Sequence, residues 1–116
     1  MGRLTTHVLD TAGGMPAAGI RIALLRGTGS QAAQLKNLVA NADGRTETPL
    51  LEGDEMKAGT YQIVFSVGEY VRGRGHPDAG RFLDEVPVVF VIDEPGGRYH
   101  VPLLVSPWSY STYRGS

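Results

Sequence analysis

Apolar residues alternate with polar ones in several short stretches of the chain, and this period of two predicts β-strands that bury one face. The alternation is clearest in "GIRIALLRG", "GTYQIVFSV" and "EVPVVFVID". The apolar positions that share a face in these stretches are Ile20, Ile22 and Leu24, then Tyr61, Ile63, Phe65 and Val67, and then Val86, Val88, Phe90 and Ile92. Further strand-like stretches are "RLTTHVL", "QLKNLVA", "RYHVPLLVS" and "WSYSTY". Glycine, proline and aspartate separate them, so the pattern predicts short strands joined by turns.

Two stretches contain helix-forming residues. In "SQAAQLKNL" the β-branched and turn residues that follow favour a strand, whereas "VGEYVRGRG" predicts one short helix before the loop "GRGHPDAGR". Regularly spaced short strands without strand–helix alternation are typical of an antiparallel sandwich. We therefore predict an all-β fold, an antiparallel β-sandwich of seven to eight short strands with one short helix, in which residues 1–116 form a single domain.

Two prolines lie inside strand-like stretches, Pro87 in "EVPVVFVID" and Pro102 in "RYHVPLLVS". Proline has no backbone N–H and cannot donate to a β-ladder. We therefore expect each of these strands to have a sheet edge or a bulge at its proline.

The charge balance and the absence of cysteine exclude several classes of function. The chain of 116 residues has 11 basic and 12 acidic residues and a net charge of −1, which predicts no binding to nucleic acid or to an anionic membrane. Without cysteine there are no disulfides, iron–sulfur clusters or thiolate zinc sites. No apolar stretch has the length of a signal peptide or a membrane span. We expect a soluble, cytoplasmic protein.

The three histidines lie in different surroundings. His76 is in the glycine-rich loop, where a solvated surface role is expected. His7 and His100 each lie within a strand, on the face opposite its apolar residues. Either histidine alone could simply hydrogen-bond on a polar face, but the pair indicates proton transfer near neutral pH. Neither has the spacing of a helical zinc motif, so we predict no metal and no cofactor.

Arg45 and the last eleven residues offer further candidates. Arg45 follows the tight Asp43-Gly44 turn and is either a plain surface arginine or a fork of donors for a carbonyl oxygen or oxyanion. The stretch "SPWSYSTYRGS" alternates like a strand, unlike an ordinary polar tail, and this predicts that Tyr113–Ser116 are held in place. A serine nucleophile is disfavoured because the G-x-S-x-G elbow is absent.

Several of these motifs together resemble the 5-hydroxyisourate hydrolases, the transthyretin-related enzymes of urate breakdown. The resemblance rests on "LTTHVLD", "NADGR" and "YHVPLLVSPWSYSTYRGS", above all on the final "YRGS", and covers essentially the whole chain. One departure is Val71, where relatives often have phenylalanine. The resemblance implies a transthyretin-like sandwich and a homotetramer, a dimer of dimers whose sites lie where subunits face each other. The residues that it assigns are, for catalysis, His7, Arg45, His100 and Ser116, and, for substrate binding, Tyr113, Arg114 and Gly115.

The resemblance also implies the reaction. Water opens the six-membered ring of 5-hydroxyisourate, with His7 as the general base that holds the water and His100 as the residue that orients the substrate or relays a proton. These two roles are exchangeable at this point, and Arg45 binds a carbonyl oxygen or the anionic substrate. Two other functions remain open: a non-enzymatic carrier of the transthyretin type that binds a small ligand, and a β-sandwich interaction module with structural histidines.

Overall fold

β-Strands dominate the computed structural model, which describes residues 2–115. The strands are β1 (Arg3–Thr5), β2 (Val8–Asp10), β3 (Met15–Pro16), β4 (Arg21–Arg26), β5 (Ala33–Val39), β6 (Leu51–Glu52), β7 (Gly59–Ser66), β8 (Glu85–Ile92), β9 (Arg98–His100), β10 (Leu103–Val105) and β11 (Tyr110–Thr112). Within the described residues one α-helix, α1 (Val67–Gly73), follows β7, and 3₁₀ turns lie at Gly29–Gln31 and Gly53–Glu55. The predicted all-β fold with one short helix is confirmed.

The strands form three sheets, with the orders β6-β1-β9, β11-β10-β2-β3 and β5-β4-β7-β8. The first two sheets are continuous, because β1 and β2 are parts of one extended segment and so are β9 and β10. Backbone hydrogen bonds from Val101 N–H to Thr5 O and from Leu103 N–H to His7 O, both 2.9 Å, connect the two segments across the break. Together these sheets make one layer of the sandwich, and β5-β4-β7-β8 makes the other.

Strand direction and strand number differ in detail from the sequence prediction. β1 pairs with β9, and β2 pairs with β10, in parallel. The sequence predicts an antiparallel sandwich instead. Alternation fixes which face of a strand is buried and carries no information about its direction. Among residues 2–115 eleven strands occur rather than seven to eight, because two segments are each divided and because β3 and β6 have only two residues and hence no alternating pattern.

The core lies between the layers and consists of the apolar faces that the alternation indicates. Leu4, Val8 and Leu103 contribute to it from one layer, and Ile63 and Phe65 from the other, all at 0% exposure. Burying one such side chain stabilises the fold by about 1.5–3 kcal/mol relative to leaving it in water. The outward positions of the first layer are therefore free for polar side chains.

Both prolines lie where their missing donor is tolerated. Pro87 is in β8, which is an edge strand of its sheet, and Pro102 lies in the break between β9 and β10. The expectation of an edge or an irregularity at each proline is confirmed. The break at Pro102 comes two residues after His100, at the edge of the candidate site described below.

Helix α1 is tied to the end of β2 by a buried hydrogen bond. The Tyr70 hydroxyl donates to Asp10 Oδ2 at 2.8 Å, and Asp10 Oδ1 accepts the N–H of Gly13 at 2.8 Å. Burial raises the pKa of Tyr70 to about 12, and the hydrogen bond to Asp10 adds to the shift. Val71 is buried in the core next to this contact. Within residues 2–115 no helix is long and apolar enough to cross a membrane.

Candidate active site

Strand pairing brings three of the predicted residues to one outer face of the first layer. In the parallel pair β1–β9, Thr5 lies opposite His100. His7 follows two positions after Thr5, on the same face, and pairs with Arg45 in an isolated antiparallel bridge. His7, Arg45 and His100 therefore come from distant parts of the sequence to one surface, opposite the face that Leu4 and Val8 bury in the core.

The His7 ring is fixed by the backbone of the Asp-Gly turn. Its Nε2 lies 2.8 Å from the carbonyl oxygen of Asp43. A carbonyl oxygen can only accept, so Nε2 carries the proton and Nδ1 is the basic nitrogen of the neutral ring. Nδ1 has no partner among residues 2–115. His7 is therefore oriented, with one nitrogen available.

The His100 ring is held from the opposite nitrogen. Its Nδ1 lies 2.9 Å from Thr5 Oγ1, and either group can be the donor. When the ring donates from Nδ1, the lone pair of Nε2 is free to accept a proton from water. Burial lowers the pKa of His100, and the positive charges of Arg45 and His7 lower it further. A pKa below the ordinary value of 6.5 favours the neutral form of His100, which is the form that a general base needs.

A compact turn positions Arg45. The Asn41 side-chain oxygen accepts the N–H groups of Asp43 at 2.9 Å and Arg45 at 3.2 Å, and the Asn41 N–H donates to Arg45 O at 2.7 Å. Gly44 has φ +76°, and a Cβ there would overlap the carbonyl oxygen of Val8. Only glycine lets the turn pack this closely against β2, which explains why Arg45 lies beside His7.

Gly115 packs directly against His100. Its N–H donates to His100 O at 2.6 Å, and its carbonyl accepts the His100 N–H at 3.3 Å. A Cβ at residue 115 would lie 3.0 Å from Cδ2 and 3.1 Å from Cβ of His100. Contacts this short would displace the imidazole, so the absence of a side chain at Gly115 fits the observed ring position.

Tyr113 and Arg114, the two residues before Gly115, lie next to Tyr99 and β8. The Arg114 guanidinium stacks on the Tyr99 ring, 4.1 Å from its centroid, and Nη2 donates to Arg98 O at 3.1 Å. Tyr113 and Arg114 line a cleft of about 220 Å³ next to β8. This cleft is separate from the space beside His100. Ser116, the remaining predicted site residue, lies outside the described residues.

A shallow cavity of about 270 Å³ opens beside His100. Its lining residues are Arg3, Thr5, Arg45, Arg98, Tyr99 and His100. A second cleft of about 170 Å³ adjoins it, and the two share Thr5 and Arg45. Pockets for drug-sized ligands measure about 300–1,000 Å³, so this space suits a small molecule. Its lining is strongly basic, which favours a substrate that is, or becomes, negatively charged.

The chain matches a family model described as HIUase/Transthyretin over residues 4–115. That match spans nearly all of the sequence and includes His7, Arg45, His100 and Gly115.

The chain belongs to the HIUase/Transthyretin family.

Relatives in the HIUase/Transthyretin family are similar over the full length of this chain. A 5-hydroxyisourate hydrolase from Mesorhizobium japonicum is 56% identical, and the alignment covers 99% of this chain and 93% of the relative. The solved structure of Klebsiella pneumoniae 5-hydroxyisourate hydrolase has a TM-score of 0.84 at 34% identity and is covered completely, as is this chain. The crystal structure of (S)-allantoin synthase has a TM-score of 0.92 at 50% identity, but this chain spans only 44% of it.

These relationships confirm the prediction of an enzyme of the hydrolase class and the prediction of a transthyretin-like fold. An enzyme of the hydrolase class is therefore favoured over the two other functions that the sequence leaves open, the non-enzymatic carrier and the interaction module. The site residues taken from the resemblance occupy two neighbouring places in the structure. His7, Arg45, His100 and Gly115 lie together, while Tyr113 and Arg114 line the adjoining cleft.

Thr5 is a site residue that the sequence analysis missed. It lies two positions before His7 in "LTTHVLD", so strand periodicity alone places both on one face. Its partner His100 is 95 positions away, and no local pattern indicates that contact. Thr5 is a positioning residue, because it acts on the His100 ring rather than on a ligand.

Thr5→Val is expected to lower kcat about tenfold with little change in thermal stability. Valine keeps the β-branched shape but cannot hydrogen-bond to Nδ1, so the ring loses its fixed orientation. Steady-state kinetics and a melting curve measure the two effects, and Thr5→Ser, which keeps the hydroxyl, should restore most of the rate. Equal rates for the valine variant and the wild type would remove Thr5 from the site.

Proposed function

We propose that this chain hydrolyses 5-hydroxyisourate to 2-oxo-4-hydroxy-4-carboxy-5-ureidoimidazoline. The observation that carries the proposal is the convergence of His7, Arg45 and His100 on one outer face, where Arg45 and His100 line a small cavity, in a chain 56% identical to a 5-hydroxyisourate hydrolase. Water adds to an amide carbonyl carbon of the six-membered ring, and the carbon–nitrogen bond breaks. The ring nitrogen takes up a proton and becomes part of the ureido group, and the carbonyl carbon becomes a carboxylate.

His100 is the general base in this proposal, and His7 orients the substrate or relays a proton. The sequence favours His7 as the base but leaves the two roles exchangeable. Two features support the exchange: the pKa of His100 is lowered, which favours its neutral form, and the Thr5 hydroxyl lies 2.9 Å from Nδ1, which leaves Nε2 available to a water. A positioned general base contributes about 10²–10⁴-fold to the rate.

Arg45 supplies a positive charge that stabilises the negatively charged tetrahedral intermediate. When water adds, the carbonyl oxygen becomes an oxyanion, and a guanidinium can donate two hydrogen bonds to it. The Asn41–Arg45 turn holds the backbone of Arg45 in place, which reduces the reorganisation needed during the reaction. We assign Ser116, Tyr113 and Arg114 to the positioning of substrate and water, as the family resemblance implies.

A direct assay tests the proposed function. Freshly generated 5-hydroxyisourate is mixed with the purified protein, and its absorbance is followed against the spontaneous decay without protein. Loss of substrate should accelerate in proportion to protein concentration, with the carboxylated ureidoimidazoline as the first product. The double variant His100→Ala, Arg45→Ala serves as a control for contaminating activity. A rate equal to the spontaneous decay, from protein shown to be folded, would reject the proposal.

The pH dependence of the reaction follows from the lowered pKa of His100. A general base must be neutral, so kcat/KM should fall on acidification as His100 becomes protonated. Because burial, Arg45 and His7 lower this pKa from its ordinary value of 6.5, the acid midpoint should lie below 6.5. Arg45→Gln removes one positive charge, so the midpoint of its residual activity should move upward. A wild-type midpoint above 6.5 would contradict the assignment.

We further propose that the chain assembles as a homotetramer, a dimer of dimers. Support comes from β8, an edge strand without a charged residue between Pro87 and Ile92, whose Val89 and Val91 are 55% and 60% exposed. An uncovered apolar edge of this kind promotes association. β5, at the other edge of the same sheet, has Lys36 within it, which protects that edge.

Val89→Lys combined with Val91→Lys is expected to shift the protein to smaller species. Wild-type protein should scatter light as four copies of the 12.4 kDa chain, whereas two lysines on β8 should repel the neighbouring copy. Val39→Lys is the matched control, because Val39 is 56% exposed but lies on β5. A monomeric wild type, or a double variant of unchanged mass, would contradict β8 as an interface.

A further inference from the structure

Two arginines that line the cavity lie opposite each other on neighbouring strands. Arg3 on β1 pairs in register with Arg98 on β9, next to the Thr5–His100 pair. By the alternation of the strands, their side chains share the face that carries His100. Like charges directly across two strands destabilise a sheet unless something negative lies between them. The arrangement therefore calls for a counter-charge.

The described part of the chain neutralises these arginines only weakly. Arg3 Nη2 is 3.9 Å from Glu52 Oε2, and both side chains are about half exposed, so solvent screens the pair. Among residues 2–115 no carboxylate side chain forms a salt bridge with Arg98 or with Arg45. By contrast, Arg21 on β4 is paired with Glu69 at 3.1 Å. Within residues 2–115, Arg3, Arg45 and Arg98 thus give the lining of one small cavity an excess of positive charge.

We infer that Arg3 and Arg98 form an anion subsite that binds the carboxylate created by ring opening. The inference rests on the proposed function, because it is the hydrolysis of an amide that turns a neutral carbonyl group into a carboxylate. The subsite lies next to His100, where the water would be activated, and Arg45 lines the same cavity. Arginine is suited to this task because its planar donors match both oxygens of a carboxylate.

The subsite has two consequences for the reaction. Negative charge builds up as water adds, so Arg3 and Arg98 stabilise the transition state as well as the product. They also hold the ring-opened product by its carboxylate until it is released. Arg3 and Arg98 bind the carboxylate directly and need a positive charge to do so, so lysine at either position should substitute better than glutamine.

Acetate binding tests the subsite without reference to turnover. Acetate, the smallest stable carboxylate, is titrated into the wild-type protein while the His100 ring is followed by NMR. A saturable shift is expected, and Arg98→Gln or Arg3→Gln should raise the Kd for acetate about tenfold, the effect of losing one charge-assisted hydrogen bond. Arg98→Lys should recover most of the affinity. Arg21→Gln is the matched control, since Arg21 is also a strand arginine with one glutamate partner, and it should leave the Kd unchanged.

A kinetic arm uses the same variants with 5-hydroxyisourate. Arg98→Gln should lower kcat/KM about tenfold and reduce its salt dependence. The reason is that one positive charge fewer then interacts with the negative charge that builds up on the substrate. If the wild type hydrolyses the substrate but glutamine at both positions changes neither acetate binding nor kcat/KM, the subsite is rejected and the proposed function stands. If the wild type is inactive yet binds acetate through these arginines, the proposed function fails and the carboxylate subsite stands. Melting curves of each variant confirm that these exposed substitutions leave the fold intact.

Discussion

His100→Ala is expected to lower kcat by about 10²–10⁴-fold while leaving the melting temperature nearly unchanged. The variant loses the neutral nitrogen that accepts the proton of the attacking water. The fold should tolerate the change, because the His100 ring lies half-buried on the outer face and contributes nothing to the apolar core. His76→Ala, in the loop beyond α1 and outside the cavity, is the matched control and should keep the wild-type rate.

Added imidazole makes this experiment more specific. It can occupy the space left by the deleted ring and accept a proton, so it should restore part of the rate of His100→Ala with a dependence on its neutral form. His7→Ala should respond less, because the His7 ring is held by the carbonyl oxygen of Asp43 and has an orienting role. If His100→Ala retains full activity, His7 is the general base instead. If His100→Ala unfolds, His100 has a structural role.

Removal of residues 113–116 should lower the rate by about 10²-fold or more and yet leave a folded, assembled protein. Gly115 exchanges two backbone hydrogen bonds with His100, and Arg114 is stacked on Tyr99, so deletion frees the strand that carries the base. A displacement of about 1 Å in a catalytic group can cost 10²-fold. The core cluster has no member among residues 113–115, so unfolding by urea should change little.

A single substitution isolates the contribution of Gly115. Gly115→Val should reproduce much of the loss, because its side chain would press on the His100 ring, whereas Gly115→Ala should be milder. Gly96→Ala is the matched control, since a Cβ there meets open space. If the shortened protein turned over substrate as fast as the full chain, the tail would have no part in catalysis.

The sequence predicts the faces of the strands well, because side-chain alternation is a local property. It correctly places His7 and His100 on polar faces and Ile63 and Phe65 in the core. It does not predict that β1 and β9 are parallel neighbours, since their pairing joins segments almost a whole chain apart. The Thr5–His100 contact and the facing arginines depend on that register, and only the folded structure reveals them.

The tail illustrates a second limit. Its alternating pattern indicates a strand, and β11 ends at Thr112, followed by the Gly115 bridge to His100. Arg114 stacks on the ring of Tyr99, which belongs to β9. The position of Arg114 therefore depends on how another strand orients Tyr99. Family resemblance could name Tyr113 and Arg114 as site residues, but it could not assign them to a cleft distinct from the one beside His100.

The parallel pairing of β1 with β9 also has a consequence for synthesis on the ribosome. Strand β1 is made about 95 residues before its partner β9. Until β9 emerges, the backbone edge of β1 that faces it lacks its native neighbour, although β6 can pair with the other edge earlier. An incomplete sheet of this kind is the condition under which nascent chains bind chaperones or associate wrongly. Contacts of such high sequence separation also slow folding. We therefore expect this protein to gain activity only after β9 and the segment that follows it have left the exit tunnel, in one late step that closes the layer and brings Thr5 to His100.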